Sequence, residues 1–131
     1  MKRIDEEKKA MIELYLPYPP SVNDYYGRNR NHVYLKSKGK DYQDEVRREV
    51  IEQKGDVMLD CNVKISIEVT FPKLKRKRDL DNLLKCTFDS LVYARVIEDD
   101  SLVDELNIKS VGVEGKGGLR VCIRSQRVAS P

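Results

Sequence analysis

The chain lacks any long apolar run. Nothing in its 131 residues approaches the roughly 20 apolar positions that a membrane-spanning helix needs. Its opening, MKRIDEEKKA, is charged with no signal core behind it. Both features point to a cytoplasmic protein with no membrane contact. Cysteine is scarce: Cys61, Cys86 and Cys122 are odd in number, and no CxxC or Cys/His spacing joins them. That excludes zinc fingers and a disulfide frame, and the three read as reduced core residues. Histidine occurs once, at His32, and a lone histidine earns no catalytic role. Also missing are GxxxxGK[ST], a GxGxxG after a strand, and HExxH. These absences argue against P-loop hydrolysis and dinucleotide redox chemistry, so no nucleotide cofactor is expected.

Charge, by contrast, is abundant. Charged residues make up 36% of the chain and apolar ones 40%, with a formal net charge of +3. So small a net charge does not by itself mark a nucleic-acid binder. Its distribution says more, with cations clustered at 28–40 and 73–78 and acids at 98–105. The length suits one domain with a real core, residues 1–10 and 125–131 being expected as flexible tails.

Periodicity supplies the elements. Met11–Leu16 alternates as a short strand that Pro17, Pro19 and Pro20 end. Ser21–Lys36 reads as a loop in which four tyrosine or histidine rings mingle with Arg28, Arg30 and Lys36. Interleaved rings and cations suit stacking on bases and contact with phosphates. Between Gly39 and Lys54, Tyr42, Val46 and Val50 recur at helical spacing, with Gly55 as a stop. Cys61–Phe71 alternates strictly and predicts the clearest strand. A second helix is expected from Asp79 or Asp81 to about Arg95, burying Leu80, Leu84, Phe88 and Leu91. Leu102–Val113 and Leu119–Ile123 read as strands that the glycine-rich Glu114–Gly118 joins as a hairpin. The β-α-β-α-β-β order predicts an α+β fold: a small mixed sheet with helices on one face.

The chemistry concentrates between Lys73 and Asp100. Five cations in six positions, Lys73, Lys75, Arg76, Lys77 and Arg78, run directly into Asp79, Asp81 and Asn82. Lys85 follows on the helix, and Glu98, Asp99 and Asp100 form a second acidic cluster. Cations abutting carboxylates suit a place where a phosphate and a divalent metal meet. Magnesium takes one or two carboxylates plus water and substrate phosphate, and a nearby lysine can stabilise charge on the reacting phosphoryl group. The plainer alternatives are a helix N-cap for Asp79 and an exposed Asp81–Lys85 ion pair worth about 0.2–0.5 kcal/mol.

The run R-D-L-D-N-x-x-K at Arg78–Lys85 resembles the signature of the RusA family of Holliday junction resolvases. PPSVNDYY at Pro19–Tyr26, the helix segment FDSL, and DD-x-x-V at Asp99–Val103 resemble further family segments in the same order. The resemblance spans about Ile12 to Ile123. It implies a small prophage-type homodimeric endonuclease that nicks a four-way DNA junction symmetrically and needs Mg2+, for which Mn2+ substitutes. By the same resemblance Asp79, Asp81 and Asp100 are the metal-binding and catalytic carboxylates and Lys85 the catalytic lysine. Asn82 and Asp99 support them. Lys75, Arg76, Lys77 and Arg78, with Arg28, Arg30 and Lys36, would hold the DNA backbone. A broader fork or flap endonuclease and a non-catalytic nucleic-acid-binding protein stand as alternatives.

Overall fold

The computed structural model describes residues 11–74 and 78–125. Its centre is the strand β4, Val63–Phe71, in which buried and half-buried residues alternate along the whole length. Successive side chains point to opposite faces of a strand, so Val63, Ile65, Ile67, Val69 and Phe71 all enter the core. β6 (Gly118–Ser125) pairs antiparallel on one side of β4, and β5 (Val103–Val113) pairs parallel on the other. β1 (Met11–Leu16) lies antiparallel outside β6, giving the order β1-β6-β4-β5. The registers align apolar rows across three strands: Ile12–Ile123–Ile65, Leu14–Val121–Ile67 and Leu16–Leu119–Val69.

Two helices contribute to the same core as those rows. α2 (Ser37–Glu52) brings Tyr42, Val46 and Val50, and α3 (Leu84–Tyr93) brings Cys86 and Leu91. The opposite face carries charge instead. Arg120 bridges Glu13 and Glu68, Lys109 meets Glu68, and Lys64 meets Glu105. The architecture is therefore the α+β fold that the periodicity predicts, with a mixed sheet. Among the described residues no helix is long and apolar enough to cross a membrane.

Both long helices stop in the same way. Lys54 and Arg95 take positive φ, 61° and 65°. The following Gly55 and Val96 donate their N–H groups back to the Val50 and Leu91 carbonyls at 2.8 and 2.9 Å. These are Schellman ends. The left-handed residue after α2 is Lys54, with Gly55 one place further on.

Four sequence expectations change. The segment Glu114–Gly118 does not close a hairpin, because β4 lies between β5 and β6. The turn crosses the end of β4, where Glu114 N–H binds the Phe71 carbonyl and Lys73 N–H binds the Gly115 carbonyl. Gly117, at φ 74°, sits so close to Thr70 O and Pro72 that a Cβ would collide with them. Local turn chemistry is right here, but the most apolar strand takes both neighbours.

The stretch Ser21–Lys36 is not a loop. It forms the short helix α1 (Val22–Tyr25), capped by Ser21 Oγ, and then a hairpin of β2 (Tyr26–Asn29) and β3 (His32–Leu35). Arg30, at φ 58°, lies in its turn. The predicted second helix is divided into a 3-10 turn, Leu80–Leu83, and α3 proper. Its most buried side chains are Leu83, Cys86, Thr87, Ser90 and Leu91, while Leu80, Leu84 and Phe88 are only partly buried. Small side chains occupy that face, which suits a helix held against both α1 and α2. Finally, Ser125 is buried at the end of β6. The other expected tail residues lie outside the described residues.

Candidate active site

The acidic turn is held in place by Arg78. Its guanidinium donates to Tyr18 Oη at 2.9 Å, the Pro19 carbonyl at 2.6 Å and Asn82 Oδ1 at 3.2 Å, with its carbon 4.6 Å from the Tyr18 ring centre. The proline segment after β1 is thereby tied to the start of the 3-10 turn. A planar donor fork fits this geometry, which a lysine does not reproduce. Asn82 has its place here too, as the acceptor that completes the fork.

Asp79 precedes the 3-10 turn in an extended conformation, and its side chain makes no capping bond. The N-cap alternative therefore does not use up its carboxylate. Asp79 and Asp81 are both exposed. At the other acidic cluster the duties divide. Asp99 Oδ2 accepts from Ser101 N–H at 2.9 Å and caps the 3-10 turn Asp100–Leu102, a bond that lowers its pKa. Asp100 is exposed, and its turn lies against α3.

Lys85 does not pair with Asp81. Its ammonium lies 3.5 Å from Asp89 Oδ2, one helical turn on, and 5.1 Å from the Tyr26 ring centre. Asp89 lies outside the acidic motifs of the sequence. Its carboxyl is pushed above the ordinary 3.8, first by burial and then by the charge of Asp100. These two effects outweigh the partly exposed ammonium beside it. Asp89 thus links Lys85 to the second acidic cluster, and the i, i+4 spacing of Lys85 and Asp89 was the available signal.

The cations divide as well. Arg28 and Arg30 are exposed on the hairpin, and Lys36 Nζ donates to the Asn23 carbonyl at 2.7 Å. Arg28, Lys36 and Lys85 line one cavity of about 640 Å³. Lys75, Arg76 and Lys77 lie outside the described residues. The predicted trio Asp79, Asp81 and Asp100 forms no ready-made cluster. Among the described residues, no three or more His, Cys, Asp or Glu side chains are grouped so as to hold a metal ion.

Exposed carboxylates on two turns packed against the helix of Lys85, together with a cationic hairpin, make a surface suited to phosphodiester chemistry on a nucleic acid. Residues 17–124 match the family described as Endodeoxyribonuclease RusA. The chain belongs to that family. It is 36% identical over 106 residues to the crossover junction endodeoxyribonuclease rusA of Enterobacteria phage HK97, covering 81% of this chain and 87% of the relative. It is 39% identical over 108 residues to the protein of the same name from Enterobacteria phage 82, covering 82% and 89%. The corresponding protein of Escherichia coli strain K12 gives the same identity and coverage.

Proposed function

We propose that this chain is a magnesium-dependent endodeoxyribonuclease that resolves four-way DNA junctions by paired symmetric nicks in recombination and repair, acting in the cytoplasm as a homodimer. The observation that carries the reading is Lys85, held between Asp89 and the Tyr26 ring beside a cationic cavity. Family membership supports the substrate, since the relatives are named for crossover junctions.

The donor chemistry fits a hard divalent cation. Asp79, Asp81 and Asp100 offer exposed carboxylate oxygens, and the Asp89 carboxyl is raised first by burial and then by the charge of Asp100, the second of which a cation would relieve. Asp79, Asp81 and Asp100 would hold Mg2+, or Mn2+ in its place. Such an ion, when bound, would supply an activated water and would neutralise charge on the phosphoryl oxygens. The chain's own groups do the rest. Lys85 places its ammonium against the phosphoryl oxygens, where negative charge grows as water adds to phosphorus and one P–O ester bond breaks. Asp89 restrains that ammonium, and Arg78 fixes the turn bearing Asp79 and Asp81. Arg28, Arg30, Lys36 and the 75–77 run would bind DNA backbone and release counterions, contributing affinity without sequence information.

The dimer follows from symmetry, because two nicks related by a two-fold axis call for two sites so related. The edge strand β5 supports it, with Leu106, Val111 and Val113 exposed. A long edge of this kind is otherwise a liability for a soluble chain.

The test is cleavage of a synthetic four-way junction beside matched linear and forked DNA, in magnesium or in EDTA. Paired symmetric nicks on the junction alone, abolished by EDTA, are expected. Comparable cutting of forks would widen the function to branched DNA in general, and binding without cutting would make the chain a binding protein.

A further inference from the structure

The hairpin β2–β3 has a feature that phosphate binding does not require. Gly27 lies directly opposite Tyr34 in the register, and it is buried beneath the Tyr34 ring, where a Cβ would collide with Cζ, Oη and Cε2. The missing side chain lets the ring lie across the strand. Tyr34 is nevertheless 44% exposed. The His32 ring lies nearly parallel to it, with 14° between the planes and 6.5 Å between centres.

Tyr34 forms one wall of the cavity of about 640 Å³ that Lys85 also lines, with Tyr26, Val33, Arg28 and Lys36 among its other residues. That volume falls within the roughly 300–1,000 Å³ of small-ligand sites. Tyr26 supports the wall from within, its ring 4.5 Å centre to centre from Tyr25. Its hydroxyl is buried with no hydrogen-bond partner among the described residues. A buried hydroxyl of this kind calls for a polar partner, and Tyr26 itself lines the cavity.

Cations alone would suffice for a phosphate. Rings and a valine beside them are wasted on it but match the face of a nucleobase. We propose that this cavity receives an unstacked nucleobase of the DNA strand whose phosphate lies at Lys85, with Tyr34 as the stacking wall. The proposal rests on the junction-cleavage reading and deepens it, because a base read beside the reacting phosphate gives the site a way to choose where it cuts. Taking a base out of the stack costs a few kcal/mol, and least where pairing is already broken. A branch point is such a place.

The experiment uses the full chain and two sets of four-way junctions, one intact and one carrying a single abasic nucleotide, stepped through the positions flanking each nick. Binding is measured in EDTA and cleavage in magnesium. Tyr34→Ala is expected to weaken binding to the intact junction about tenfold, the scale of losing one base–aromatic stack. At one abasic position the wild type should lose the same factor, and there Tyr34→Ala should cost nothing further. Tyr34→Phe should behave as wild type. Gly27→Ala, which displaces the ring without removing it, should behave as Tyr34→Ala while keeping the wild-type circular dichroism.

Equal losses for Tyr34→Ala at every abasic position, or no loss on intact DNA, would overturn the base pocket while leaving junction cleavage standing. A wild-type chain that neither binds nor cuts the junction would overturn both.

Discussion

The two sides of α3 differ in how their polar groups are used. On the inner side each is matched within the fold. Thr87 Oγ1 donates to the Leu83 carbonyl at 2.7 Å, Ser90 and Tyr25 share a hydrogen bond at 3.2 Å, and Tyr42 Oη of neighbouring α2 donates to the Pro17 carbonyl at 2.6 Å. Around the start of α3, Asp79, Asp81, Lys85 and Asp100 all face solvent, and Asp89 is held where burial and a like charge both oppose its ionisation. The inner side supplies stability, and the rim is carried by it. A rigid scaffold can bear charges that add nothing to folding, as sites for chemistry commonly do.

This contrast predicts opposite outcomes for mutations on the two sides. The largest effect is expected at the rim and only in activity. Asp79→Asn should lower junction cleavage by roughly 10²–10³-fold or more, the scale of losing one transition-state stabiliser. Binding in EDTA should stay equal or tighten, since a charge that repels phosphate is gone, and urea unfolding should move by less than about 0.5 kcal/mol. Loss of binding together with cleavage would deny Asp79 its catalytic role. Inside, Ile123→Ala should cost about 2–5 kcal/mol in urea denaturation. Ile51→Ala on the exposed side of α2 should cost less than about 1 kcal/mol, since little apolar area is removed from the core. Equal costs would erase the distinction.

Arg78 belongs to both sides, so Arg78→Lys should register in both. The loss of the fork to Tyr18, Pro19 and Asn82 is expected to cost on the order of 1 kcal/mol and to slow cleavage by loosening the acidic turn. Asp89→Asn should move the two properties in opposite directions. The carboxyl has a raised value in the fold, so the wild type is penalised at neutral pH and relieved as pH falls through that value. The asparagine variant should therefore be slightly more stable at pH 7, with the gain vanishing below the ordinary 3.8. Its cleavage should be slower because Lys85 loses its restraint. The smallest effect concerns labelling. Burial pushes the Cys86 thiol to about 11, so an alkylating reagent at pH 8 should modify the half-buried Cys61 and Cys122 and leave Cys86 untouched in the folded chain.

The strands were legible because their signal is local. Val63–Phe71 alternates without a break, and Met11–Leu16 is closed by prolines. Which strands pair is not local, and the turn at Glu114–Gly118 suggested a hairpin that β4 in fact separates. The hairpin Tyr26–Leu35 escaped notice because its strands are four residues each and only weakly apolar. Of the candidate site, the carboxylates and Lys85 could be named from the motif run. The work of Arg78 could not, since its partners Tyr18 and Pro19 lie about 60 residues away. Asp89 shows in the sequence only as the i, i+4 neighbour of Lys85, and its environment, set by burial and by Asp100 on another turn, has no sequence pattern.

The strand order also dictates a timetable. β6 occupies the second place in the sheet, between β1 and β4, yet it is the last strand along the chain. A ribosome delivers β1 more than 100 residues before the neighbour it pairs with, the register joining Met11 to Arg124. Until then β1 has no strand to bond, and the apolar face of β4 is only half flanked. The nascent chain must keep both from associating with anything else, a burden that long-range pairing places on folding. The final strand to emerge acts as the closing piece, since it must enter between β1 and a β4 that can already pair with β5.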